Sequence, residues 1–220
     1  MSTTSPAEPA AKPLMRGVLH QGGALVALGA GIVMVATAPT TRAAWAAAGF
    51  AASLVSLYTV SAVYHRVNWS PIARARMRRA DHASIFVLIA GTYTPLALLG
   101  LRSDDGDLLL LGVWIGALVG VLKSLFWINA PKIVAPILCV ALGWAVVPYW
   151  SEAQTGLGTE ALAFVFAGGV VYTIGALCYA TKRPTLKPSV FGYHECFHAC
   201  TLIAAVLHFI AVLMVVQRAS

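Results

Sequence analysis

HECFHACTLIAAVLHFIAVLMVV, residues 194–216, makes two statements at once. Beyond His198 it is apolar apart from Thr201 and His208 and is long enough as a helix to cross a bilayer core, which takes about 20 residues. Its first turn, His194-Glu195-Cys196-Phe197-His198, is an H-E-x-x-H run. Imidazoles four residues apart on a helix lie about 40° apart around the axis and one turn apart along it, so both can reach one metal ion. Histidines at helix ends also serve as packing or headgroup-facing residues. The rest of the chain must decide between these readings.

Hydrophobic residues make up 59% of the 220 and charged residues only 10%. Ordinary soluble domains are nearer ~25% charged. Mean hydropathy is +0.80, and the chain reads as a polytopic membrane protein. Apolar runs of spanning length fall at 17–37, 44–64, 83–101, 107–127, 132–150, 160–180 and 194–216. These predict an all-α, seven-transmembrane-helix bundle. The fifth run is the weakest, bracketed or interrupted by Pro131, Pro136 and Pro148, and six spans is the fallback. Residues 1–16, rich in Ser, Thr, Pro and Ala, read as a disordered tail, and 17–217 as one membrane domain. Ala36-Thr37-Ala38 imitates a signal-peptidase site, but the run before it exceeds a 7–15-residue h-region and Pro39 would follow the cut. Cys139, Cys178, Cys196 and Cys200 lie in apolar runs without a C-x-x-C pair and read as small packing residues.

A cytoplasmic N-terminus places Lys12, Arg16, Arg66, Arg74, Arg76, Arg78, Arg79, Lys123, Lys132, Lys182, Arg183 and Lys187 inside, and only Arg42, Arg102 and Arg218 outside. This positive-inside bias predicts N-in, C-out in the cell membrane. Asp104, Asp105, Asp107, Glu152 and Glu160 fall in the outer loops. The +7 net charge is thereby explained without nucleic acid, and the Arg66 to Arg79 cluster is a topology determinant that touches anionic headgroups.

The same topology collects polar residues at one depth. His65 closes the second run at its cytoplasmic end, Asp81 and His82 open the third there, and His194 and His198 open the seventh there. His20 lies about one turn in from that side, and only His208 is deeper. Ionisable groups at the edge of hydrocarbon need partners, and a metal supplies one. Three imidazoles from two helices with an open fourth position make a catalytic zinc arrangement, so His65, His194 and His198 are the candidate ligands. Asp81 is then either a carboxylate that orients water at the site or a helix N-terminal charge favoured by the dipole.

Ser61-Ala62-Val63-Tyr64-His65, Asp81-His82-Ala83-Ser84, Gly91-Thr92-Tyr93-Thr94-Pro95 and the closing H-E-x-x-H with His208 resemble the haemolysin III family. That family is the bacterial branch of the group containing the progestin and adipoQ receptors, including the adiponectin receptors. The resemblance runs from Arg16 to Arg218. It implies seven helices around a Zn2+ ion near the cytoplasmic side, with His65, His194 and His198 as ligands and Ser61 and Asp81 as the family serine and aspartate. Many family members carry an acidic residue and an N-x-x-T-H run on the first span. Here the sequence is Gly17-Val18-Leu19-His20, and only the histidine matches.

H-E-x-x-H also suggests a zincin in which Glu195 is the general base. The motif lies in the last span, so no later helix can provide a third ligand, and the related receptors carry Gln at this position. Glu195 reads instead as a polar residue at the cytoplasmic edge. If the site is catalytic, the substrate is an acyl-chain amide reaching it from the membrane lipids, with Asp81 as proton acceptor and Ser61, one turn before His65, as hydrogen-bond partner. The receptor resemblance implies ceramide-like lipids. A second reading is a pore-forming or membrane-permeabilising haemolysin with a structural metal; its sequence support is thin, because ionisable groups stop near one face apart from His208 and Lys123. A third is a receptor or membrane-fluidity regulator with structural zinc, closed by His82 or Asp81. His208 reads as a bundle-facing residue bonded to a neighbour, and nothing in the sequence sets an oligomeric state.

Overall fold

The computed structural model describes residues 12–101, 103–127, 129–131 and 133–219. Residues 1–11 of the expected tail, and Arg102 and Lys132 of the loop charge balance, lie outside the described residues. The chain forms helices α1 (Val18–Ala36), α2 (Thr41–Arg66), α3 (Pro71–Gly100), α4 (Ser103–Phe126), α5 (Val134–Gly143), α6 (Trp150–Leu157), α7 (Thr159–Thr181) and α8 (Tyr193–Arg218). Among the described residues there is no strand beyond an isolated Lys187–Phe191 bridge.

Seven helical stretches are long and apolar enough to cross a membrane among the described residues, so the six-span fallback falls away. The proline-bearing fifth stretch runs over Val134–Leu157 as α5, a 3-10 turn at Val147–Tyr149 that holds Pro148, and α6. Tyr93 of α3 bridges that break: its hydroxyl donates to the Gly143 carbonyl at 2.8 Å and accepts the Val146 N–H at 3.1 Å. The backbone groups freed by the break are thus satisfied by protein, as hydrocarbon requires.

The third helix starts twelve residues before the apolar run at 83. Ser70 caps it by accepting the Ala73 N–H at 3.4 Å, and Pro71 occupies the first turn, where a missing N–H costs nothing. Ile72 to Ala80 then continue the helix with Ala, Arg and Met, all good helix formers. An apolar run measures the membrane and not the helix, which explains the difference.

Helix α8 packs lengthwise on α7 and also touches α1, α2 and α3, while α1 lies on α2, α2 on α3 and α3 on α4. Phe50, Leu54 and Leu57 of α2, Phe86 and Leu96 of α3, and Val212 and Val215 of α8 fill the interior. Leu25 and Ile32 of α1, Leu118 of α4, Ile174 of α7 and Ile203 of α8 point outward. Apolar side chains on the outside and a dry interior are what a bilayer selects. Asp104, Asp105, Glu152 and Glu160 mark one end of the bundle, and Arg66, Arg74, Arg76 and Arg78 mark the other, the basic end.

Candidate metal centre

Two helix ends and the flank of a third converge at the basic end. The last turns of α2 carry Ser61 and His65, four residues apart and both buried. The first turns of α8 carry His194 and His198 at the same spacing. Helix α3, already ten residues long at that level, brings in Asp81 from the side. Side chains one turn apart on a helix share a face, so each pair presents both members to the same point.

The ligand atoms of His65, His194 and His198 all lie within 4.8 Å of one another. Their ring centroids are 4.7, 5.1 and 4.5 Å apart for 65–194, 65–198 and 194–198. His65 Nε2 faces His194 Nε2 at 3.1 Å. Nitrogens bound tetrahedrally to zinc at 2.0–2.1 Å stand about 3.3 Å apart, so this edge is close to the one a tetrahedral ion needs. Without an ion the two nitrogens must share a single proton. The donor set is all nitrogen and drawn from two helices, which suits zinc. The residues therefore fit the group.

Asp81 Oδ2 lies 4.0 Å from His65 Nε2, and Ser61 sits beside the Asp81 carboxyl. The structure thus brings together all five residues singled out in the sequence: Ser61, His65, Asp81, His194 and His198. His82 stays outside the three-histidine group, beside Arg78 and Lys123. His208 bonds the Val165 carbonyl of α7 at 3.0 Å, a bundle-facing role as expected. The four cysteines are free and half-buried.

Three features were not foreseen. Glu195, expected at the polar edge, is 1% exposed. Its Oε2 accepts the Gly192 N–H at 2.8 Å, the one half of a capping box that a glycine N-cap allows, and its Oε1 accepts from Arg16 Nε in an ion pair. Arg16 belongs to a strap over residues 12–17, part of the stretch expected to be a tail. Leu14 N–H donates to the Ser189 carbonyl at 3.0 Å and Met15 N–H to that of Val190 at 3.2 Å, while Lys12 Nζ reaches Asn68 Oδ1 at 3.3 Å. Gly17 ends the strap at φ +78°, and a Cβ there would stand 2.9 Å from the Cβ of His65. A side chain at Gly17 would therefore be strained and would press on a candidate ligand.

The third feature is His20. Its ring stacks on that of His198, with centroids 3.8 Å apart and planes 12° from parallel. It is 3% exposed, and neither ring nitrogen makes a well-aligned hydrogen bond, although the His198 backbone carbonyl lies close to the ring. The sequence placed His20 at the right depth without assigning it to the site. Glu195 at the third helical position was a local signal for its bond to the Gly192 N–H, whereas nothing local announces the partner of Arg16.

Comparison with known proteins agrees with this architecture. The family model described as Haemolysin-III related matches residues 9–209. A hemolysin-3 homolog of Bacillus subtilis (strain 168) is 26% identical over 203 residues, covering 91% of this chain and 92% of its own. Hemolysin-3 of Bacillus cereus is 27% identical over 207 residues, covering 92% and 91%. With seven spanning helices and a family match over most of its length, the chain is a multi-pass membrane protein that belongs to the haemolysin-III related family.

Proposed function

We propose that this membrane protein holds one zinc ion on His65, His194 and His198 and hydrolyses a lipid amide of ceramide-like chemistry beside it, with the basic end facing the cytoplasm. The observation that carries the reading is the convergence of three imidazoles to within 4.8 Å, with a carboxylate 4.0 Å from one of them. Zinc held there supplies Lewis acidity toward a carbonyl oxygen and acidifies water. The chain's own residues do the rest. Asp81 accepts a proton from the attacking water as the C–O bond forms, and returns it to the amine nitrogen as the C–N bond breaks. Ser61 holds the Asp81 carboxyl in position. The filled apolar interior beneath the site excludes bulk water, and the acyl chain lies sideways between helices toward the lipid.

Plasma mass spectrometry of the detergent-purified protein tests the first half. About one zinc per chain is expected in the parent, and none in the His65→Ala/His194→Ala/His198→Ala variant. Hydrolysis of N-acyl lipids, lost in Asp81→Asn with zinc retained, tests the second. A parent that stays metal-free after zinc is supplied removes the enzyme reading.

A second reading rests on the names of the relatives, both called hemolysin-3. In it the protein permeabilises membranes and the metal is structural. The interior is filled by Phe50, Leu54, Leu57 and Phe86, so permeabilisation in this reading acts through membrane disruption or assembly rather than along the axis of one chain. Dye release from vesicles that is unaffected by Asp81→Asn distinguishes it.

A further inference from the structure

Resting on the metal reading, the geometry points to His20 as a residue that binds the oxygen of whatever molecule enters the three-histidine site. A neutral imidazole carries one N–H donor and one lone-pair acceptor. Both nitrogens of His20 are buried without a partner, in a side chain that is 3% exposed. Native interiors rarely leave such groups unpaired, and one that is unpaired marks a place where a water or ligand belongs.

The stack on His198 restricts what that ligand is. Imidazole lone pairs lie in the ring plane, and the two planes are 12° from parallel with centroids 3.8 Å apart. An ion in the plane of His198 lies off the plane of His20, so His20 is not a further ligand to that ion. Its nitrogens lie instead in the layer next to the His198 ring, beside the three-histidine group. Tyr58 packs on the same ring with centroids 5.0 Å apart. An uncharged oxygen fits: the carbonyl of an acyl amide or ester, accepting the His20 N–H.

His20→Phe keeps a flat ring for the stack and removes both nitrogens, while His20→Gln restores an N–H donor. Each protein, purified in detergent, is loaded with Co2+ in place of zinc, its metal content is measured, and octanohydroxamate is titrated against the visible Co2+ spectrum. The expected result is equal metal content in all three, affinity about 10-fold lower in His20→Phe as for one lost hydrogen bond, and partial recovery in His20→Gln. Equal affinity in a metal-loaded His20→Phe overturns the assignment and leaves His20 to a buried water alone. Loss of metal in both variants overturns it in favour of a metal-holding role. A loaded parent whose spectrum ignores the hydroxamate overturns it by showing that no ligand reaches the position. A parent that takes up no cobalt or zinc removes the metal reading, and this assignment with it.

Discussion

Helices α2 and α3 differ from the fifth span in how much protein surrounds them. Over their most apolar stretches 56% and 67% of residues are buried within the bundle, against 6% for Val134–Leu157. The enclosed helices carry Ser61, His65 and Asp81. The outer span carries Pro136 and Pro148, a 3-10 break and no titratable residue of the site. Ionisable side chains are tolerable in a membrane only where protein supplies their partners. A broken backbone is tolerable at the periphery once one side chain, here Tyr93, meets the freed groups. Among the described residues the clustered polar side chains thus lie on more enclosed helices, and the backbone break on the least enclosed span.

Five substitutions break or sharpen this contrast. The largest effect is expected for Arg16→Ala, which leaves the Glu195 carboxylate at 1% exposure without its cation. Removing one partner of a buried pair costs about 3–5 kcal/mol, so the melting midpoint in detergent should fall steeply. Glu195→Gln, which can still accept the Gly192 N–H, should fall less, and a parent-like midpoint for Arg16→Ala would show that the strap does not hold the enclosed helices. Gly91→Ala comes next. Its Cβ would stand 2.2 Å from Ser53 Oγ and 2.6 Å from Ser53 Cβ, wedging α3 from α2. Overpacking of this kind costs about 1–3 kcal/mol, and the same melting assay reads it.

Tyr93→Phe acts where the two regions meet. The Val146 N–H and the Gly143 carbonyl lose their partner, at about 1–2 kcal/mol. Amide hydrogen exchange should accelerate over 143–157 while α2 stays protected; acceleration in both would mean that the span is integral to the enclosed core. The smallest effect belongs to Gly112→Ala on α4, whose added Cβ meets nothing within 4 Å. A change within about 0.5 kcal/mol is expected, and a larger loss in a bilayer than in detergent would reveal a neighbour outside the chain.

The seven spans were legible because a bilayer demands a long apolar run and the chain supplies seven of them. The grouping of His65, Asp81, His194 and His198 was legible because polar residues at an apolar margin stand out. Residues 71–82 were not, since their arginines look like a loop to a reading tuned to hydropathy. The partnership of Arg16 with Glu195 joins positions 179 apart, and the stack of His20 on His198 spans a comparable stretch of chain. No periodicity encodes such pairings; only the packing of α8 against α1 and α2 creates them.

His65 and His194 stand 129 residues apart, and α8 leaves the ribosome after α1 to α7. A nascent chain that has inserted only α1 to α7 holds one of the three imidazoles, an Arg16 with no carboxylate and a His20 with no ring to stack on. Its polar groups stay without those partners until α8 packs against α1 and α2. Arrival of α8 closes all three gaps together, so the centre cannot assemble before α8 has been inserted.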